Sequence, residues 1–94
     1  MNLSFVIPCY RSEHTIIPVL EEIRNKMSEQ PEITYEVNTV NDNSPDDVLS
    51  VLYDYADQHS FLNVIDLTRN FGQHAAMMAG LSQAKGDIVI FLDD

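Results

Sequence analysis

The stretch "GDIVIFLDD" (86–94) runs five apolar side chains, Ile88 to Leu92, straight into two carboxylates, Asp93 and Asp94. Paired carboxylates at the tip of a buried strand are suited to holding Mg2+ or Mn2+, hard cations that favour oxygen ligands. Such a cation would offset the acidity of the chain, bridge to a diphosphate and act as a Lewis acid on the departing phosphate. A bare Asp-Asp pair is more simply read as solvated polar surface at a chain end.

Other residues invite the same double reading. Asp42, in "VNDNSPDD", is placed to accept hydrogen bonds from a base edge, or to serve as the turn residue Asp so often is. Tyr10 follows Pro8 and offers a ring for stacking on a nucleobase, or the body of a half-buried loop tyrosine. Arg69, in "TRNFGQ", offers a charge for a phosphate, or a surface cation. Ser44 reads as a helix cap, because no His/Asp arrangement supports it as a nucleophile. His74 reads as structural, Cys9 as a small buried residue, and Met77 and Met78 with their alanines as packing. No GxGxxG follows the first apolar run, no GxxxxGK[ST] occurs, and three histidines and one cysteine lack zinc spacing.

The elements that must position these residues follow from periodicity. "LSFVIP" (3–8) predicts a buried strand stopped by proline. Ile16, Leu20, Ile23 and Met27 fall at helical spacing between Thr15 and Ser28, with Pro18 in the first turn. "YEVNTVND" (35–42) predicts a second strand. "NSPDD" predicts a helix start with Ser44 as cap and Pro45 at the first position, continuing through Val48, Leu52 and Tyr55. "FLNVIDL" (61–67) predicts a third strand and residues 71–84 a third helix, ended by Lys85 and Gly86. "DIVIFL" is apolar throughout, which suits a central strand covered on both faces. The order β-α-β-α-β-α-β, with right-handed crossovers, gives an α/β fold: a parallel sheet with helices on both faces. Ligands then bind at the carboxyl ends of the strands, where "PCYRSE", "NDNSPDD", "TRNFGQ" and the final "DD" fall.

Composition narrows the partners. The chain has 94 residues, one small domain or part of a larger one, and 45% of them are apolar, a globular composition. Fifteen acids against five bases give a net charge of −10, which argues against nucleic acid or an anionic membrane as a partner of this segment. It also means that a phosphate-bearing ligand needs a divalent cation between it and the protein. One cysteine allows no internal disulfide and fits a reducing compartment. No basic leader is visible, and no stretch reaches the roughly 20 apolar residues of a membrane helix.

"SFVIPCYRSE", "VNDNSPDD", "LTRNFGQHAAMMAGLSQAKGD" and "IVIFLDD" together resemble, in order and spacing, the start of family-2 glycosyltransferases with the GT-A fold. The likeness is nearest to the polyprenyl-phosphate branch, the dolichol-phosphate mannosyltransferase-like and bactoprenol glucosyltransferase-like enzymes. It implies sugar transfer from a nucleotide diphosphate donor, a UDP- or GDP-sugar, with a polyprenyl phosphate as acceptor. Residues 1–94 would be the Rossmann-like, nucleotide-sugar-binding part, cut before the acceptor half and inactive by themselves. The resemblance places Pro8, Tyr10 and Glu13 in the loop lining the nucleotide, with Asp42 on the base. Arg69 and Asp93 complete the nucleotide contacts, and Asp93 and Asp94 match the start of an Asp-x-Asp motif holding Mg2+ or Mn2+. Arg11 stands where the family often has asparagine. The catalytic base and any membrane segment would lie outside these residues, with the enzyme in the cytoplasm or at the cytoplasmic face of a membrane.

Two other classes remain. A receiver-like signalling module also gathers acids around Mg2+, but needs an acid pair after the first strand and a phosphoacceptor after the third, where Asp66 lies within the strand. A non-catalytic interaction domain would associate with itself through apolar surface left uncovered by truncation.

Overall fold

A computed structural model of the protein describes residues 1–93. The chain runs β1 (Asn2–Cys9), α1 (Ile16–Ser28), β2 (Thr34–Asn41), α2 (Val48–Gln58), β3 (Leu62–Asp66), α3 (Gln73–Gln83) and β4 (Ile88–Phe91). The strands form one sheet in the order β3-β2-β1-β4, and every neighbouring pair is parallel. The predicted alternation of strands and helices is therefore present.

The helices sort by crossover direction. The chain steps from β1 to β2 to β3 in one direction, then returns past β1 to β4, so right-handed connections place α3 opposite α1 and α2. Phe5, Ile7 and Cys9 of β1 pack with Val37 of β2 against Ile16, Leu20 and Ile23 of α1 and Val48, Leu52 and Tyr55 of α2. Alternate residues of the same strands meet α3 instead, a consequence of the two-residue period of a strand. Tyr55 also ties α2 to α1: its hydroxyl donates to Glu21 Oε2 at 2.5 Å. Burial and that bond push the phenol up to about 12. The bonds that Arg24 and Tyr55 give Glu21 hold its carboxyl down at about 2.

α3 sits close to the sheet because Gly80 allows it. A Cβ at Gly80 would fall 2.3 Å from Val6 Cγ1 and 3.2 Å from Val40 Cγ2. Gly→Ala in a helix normally stabilises by about 1 kcal/mol. Here we expect the opposite sign: Gly80→Ala costs about 1–3 kcal/mol through overpacking, and a Val6→Ala change recovers part of it. Urea unfolding of both single variants and the double variant checks this.

A polar network closes the opposite, amino-terminal end of the sheet. Glu36 Oε2 accepts from Ser4 Oγ at 2.6 Å and from the Lys85 N–H at 2.7 Å, while Asn63 Nδ2 donates to Oε1 at 3.1 Å. Burial raises the Glu36 pKa, but the Ser4 hydroxyl and the N–H and charge of Lys85 outweigh it and hold the carboxyl below its ordinary value of 4.5. A depressed carboxylate contributes stability above its unfolded pKa and loses it as pH falls through the folded value. Glu36→Gln should thus cost about 1 kcal/mol at neutral pH. It should also narrow the gap between urea midpoints at about pH 7 and about pH 3.5 relative to the unmodified protein.

Three local expectations are corrected. α2 begins at Val48, with Asp47 as N-cap and no cap bond from its own side chain. Ser44 does not cap, because its hydroxyl serves the Arg11 N–H and Asp46, and it is Asp46 Oδ1 that accepts from the Val48 N–H at 3.3 Å. α3 ends at Gln83. The Lys85 and Gly86 N–H groups point to Glu36 and Ser4 rather than finishing the helix. β4 is an edge strand of the four described, not a central one. α3 lies across β1 and β2, which leaves Phe91 of β4 41% exposed on that face, while Ile88, on the opposite face, is 45% exposed.

Candidate functional site

Parallel register brings the carboxyl ends of the strands to one rim: Cys9 pairs with Asn41, Asn41 with Asp66, and Val6 with Phe91. Strand order reverses at β1, which has β2 on one side and β4 on the other. Crevices in open α/β sheets form at such points. The cleft there has a volume of about 480 Å3 and is lined by Pro8, Tyr10, Asp42, Asn70, Gly72, Gln73 and Asp93.

Asp42 is the anchor of this cleft. It follows the last residue of β2, its N–H donates to the Cys9 carbonyl at 3.1 Å, and it is only 3% exposed. Its Oδ1 accepts from the Phe71 N–H at 2.8 Å and its Oδ2 from the Gly72 N–H at 3.1 Å. A buried carboxylate with two backbone donors fixes the turn before α3 as firmly as any cap would. Asn70 Oδ1 adds a second acceptor for the Gly72 N–H at 3.0 Å. Gly72 has φ 92 and ψ 162, a backbone conformation essentially reserved for glycine. The turn thus points the first residues of α3, and the positive end of its dipole, into the cleft.

On the other side of β1, Asp93 follows Leu92, whose N–H donates to the Val6 carbonyl at 3.0 Å. Asp93 is exposed, and its Oδ1 accepts from Gln73 Nε2 at 2.9 Å, so α3 and β4 meet across the cleft. Tyr10 forms a wall from β1, 45% exposed, with the Arg11 guanidinium carbon 5.6 Å from its ring centre.

Of the residues expected from sequence, Pro8, Tyr10, Asp42 and Asp93 line this one cleft. Glu13 does not: its Oε1 accepts from the Asp47 N–H and its own N–H donates to Asp46, so it joins two loops instead. Arg69 does not line it either, and its guanidinium lies 5.2 Å from the Phe71 ring centre on the surface. Asp94 lies outside the described residues. Asn70, Gly72 and Gln73 were not singled out. Their signal was the glycine of "TRNFGQHAA", a small residue opening a helix in the loop that follows a strand.

The cleft offers a divalent cation only part of a donor set. Asp93 supplies one exposed carboxylate in the cleft, and no group of three His, Cys, Asp or Glu side chains suited to a metal occurs among the described residues. One carboxylate plus ligand phosphates and water is a normal shell for Mg2+. The arrangement therefore fits a cation brought in with a phosphorylated ligand and not a cage built wholly from protein.

A parallel sheet whose switch point carries an aromatic wall, a helix N-terminus and an exposed carboxylate defines an open α/β domain with its cleft at the carboxyl rim. The chain belongs to glycosyl transferase family 2, whose model matches residues 4–94. It is 42% identical over 93 residues to the undecaprenyl-phosphate 4-deoxy-4-formamido-L-arabinose transferase of Proteus mirabilis, covering 98% of this chain and 28% of that protein. Its fold matches S. aureus TarS 1–349 in complex with UDP-GlcNAc at a TM-score of 0.81 and 30% identity, covering 99% of this chain and 26% of that one. It also matches the mannosyltransferase PcManGT of Pyrobaculum calidifontis, in complex with GDP-Man and Mn2+, at 0.73 and 25%, over 97% and 26% of the two chains. The chain thus spans a little over a quarter of the relatives it matches. The expected GT-A architecture is borne out. A receiver-like module is not, because that fold sets β1 between β2 and β3, whereas here β1 lies between β2 and β4. No helix among the described residues is long and apolar enough to cross a membrane.

Proposed function

We propose that residues 1–94 form the donor-binding part of a glycosyltransferase that moves a sugar from a nucleotide diphosphate to a polyprenyl phosphate. The observation that carries this reading is the single cleft joining Tyr10, Asp42, Gln73 and Asp93 at the sheet's switch point. Tyr10 and Pro8 would take the nucleobase, and Asp42 would accept from its edge with lone pairs not used by Phe71 and Gly72. The N-terminus of α3 would face the diphosphate. Asp93, with Asp94 beside it in sequence, would hold Mg2+ or Mn2+. That cation supplies Lewis-acid stabilisation of the leaving nucleoside diphosphate. Without it, Asp42 and Asp93 would repel the diphosphate. Arg69 sits at the rim of the same loop and would reach a phosphate only by leaving Phe71. Glu13 would act on the nucleotide loop from behind.

The acceptor assignment rests on the relative that acts on undecaprenyl phosphate. A lipid-linked acceptor would hold the enzyme's work at the cytoplasmic face of a membrane, and the catalytic base would come from other residues. Self-association through the exposed side of β4 is the remaining proposal about partners. The test is calorimetry of UDP and GDP binding with and without Mn2+, followed by sugar transfer from UDP- and GDP-sugars to a polyprenyl phosphate by the whole protein. Metal-dependent heat with one nucleotide is expected. No heat with either nucleotide at millimolar concentrations overturns the reading.

A further inference from the structure

Two loops carry the walls of the cleft, and each turns in the same unusual way directly after its site residue. Arg11, next to Tyr10, has φ 56, and Asn43, next to Asp42, has φ 50. For a non-glycine residue each such turn is strained, and the surroundings must hold it. Asparagine tolerates this conformation, whereas arginine has no side-chain reason to adopt it.

What holds Arg11 is the other loop. Its N–H donates to Ser44 Oγ at 2.7 Å, and Ser44 Oγ donates in turn to Asp46 Oδ1 at 2.6 Å. Asp46 Oδ2 accepts from the Glu13 N–H at 3.1 Å, and Glu13 Oε1 accepts from the Asp47 N–H at 3.2 Å. The Ser44 N–H donates to Asn41 Oδ1 at 3.2 Å, which roots the chain in β2. These contacts cross between residues 11–13 and 44–47 in both directions. None of the side chains that make them lines the cleft. Asp46 is burdened by burial, yet the Ser44 hydroxyl and the Glu13 and Val48 N–H groups hold its carboxyl below the ordinary range.

We propose that Ser44, Asp46 and Glu13 form a latch that locks the left-handed turn at Arg11 and so fixes the Tyr10 ring at a set distance from Asp42. They are positioning residues for the nucleobase and do not touch it. The proposal rests on the donor-site reading above. The latch explains why Glu13 and Ser44, both marked in the sequence, lie behind the cleft. It also predicts selectivity in what is lost: the latch governs the base side of the cleft, while Asp93 and α3 govern the phosphate side.

The test is Ser44→Ala and Ser44→Thr in the whole protein, titrated with Mn2+ plus UDP, GDP or inorganic pyrophosphate. Ser44→Ala should lose about tenfold in affinity for the nucleoside diphosphate that the unmodified protein binds, a change of the size one hydrogen-bonding group controls. Its pyrophosphate affinity should be unchanged, and Ser44→Thr, which keeps the hydroxyl, should restore nucleotide binding. Equal nucleotide affinity in Ser44→Ala overturns the latch while leaving the donor site standing. Parallel loss of nucleotide and pyrophosphate also overturns it, since that is general disruption. Absence of binding by the unmodified protein overturns both proposals.

Discussion

Asp42→Ala is expected to lower stability by about 2 kcal/mol and to weaken binding of the preferred nucleoside diphosphate by at least about tenfold. The two effects have one cause. The carboxylate is 3% exposed and holds the Phe71 and Gly72 N–H groups, so its loss frees the turn that aims α3 at the cleft. Gly72 retains Asn70 Oδ1, which limits the damage at that amide. Phe71 has no such substitute among the bonds described. Asp42→Asn should therefore fall between: its oxygen can serve Phe71, while its amide meets the Gly72 donor, for a cost of about 1 kcal/mol. Urea unfolding at neutral pH ranks the three proteins, and calorimetry with Mn2+ and UDP or GDP gives the binding. An Asp42→Ala protein as stable as the original would mean that the carboxylate does not hold the turn.

That dual role shows how far the sequence could be read. The elements were legible because β1 and β4 are short apolar runs, β2 alternates apolar and polar residues, α1 and α2 carry helical spacing and α3 is rich in alanine and methionine. Pro8, expected to stop β1, nevertheless lies one residue inside it. Handedness then places Tyr10, Asp42 and Asp93 at one rim without any coordinates. What local pattern cannot supply is which side of a loop faces the ligand. "NSPDD" carries every local signal for a helix cap at Ser44, yet the long-range bonds to Arg11 and Glu13 outweigh that preference and α2 starts at Val48. In "TRNFGQ" charge drew attention to Arg69. The backbone of Gly72, held by Asp42, instead turns Asn70 and Gln73 inward. β4 read as central from its apolar content, but order within a sheet is a tertiary fact. Here α3 covers β1 and β2 and leaves Phe91 open.

Asp93→Asn should reduce Mn2+-dependent binding of UDP or GDP by about a hundredfold, near 2.7 kcal/mol, with almost no change in stability. The stability half follows from exposure: a surface substitution of this kind stays within about 0.5 kcal/mol. The binding half follows from charge. A dication beside a diphosphate gains from a full negative charge on its protein ligand, and an amide oxygen of the same shape offers only a dipole. Asparagine can still accept from Gln73 Nε2, so the contact between β4 and α3 survives and geometry is not the variable. Asp93→Glu keeps the charge but moves it by one methylene, and should fall between the two. The control is a nucleoside monophosphate without metal, which depends on Tyr10 and Asp42 and should bind all three proteins alike. Calorimetry over a series of Mn2+ concentrations separates the terms. If Asp93→Asn showed the same Mn2+ dependence as the original, the cation would be held elsewhere, and the acidic rim would lose its role in gripping the diphosphate.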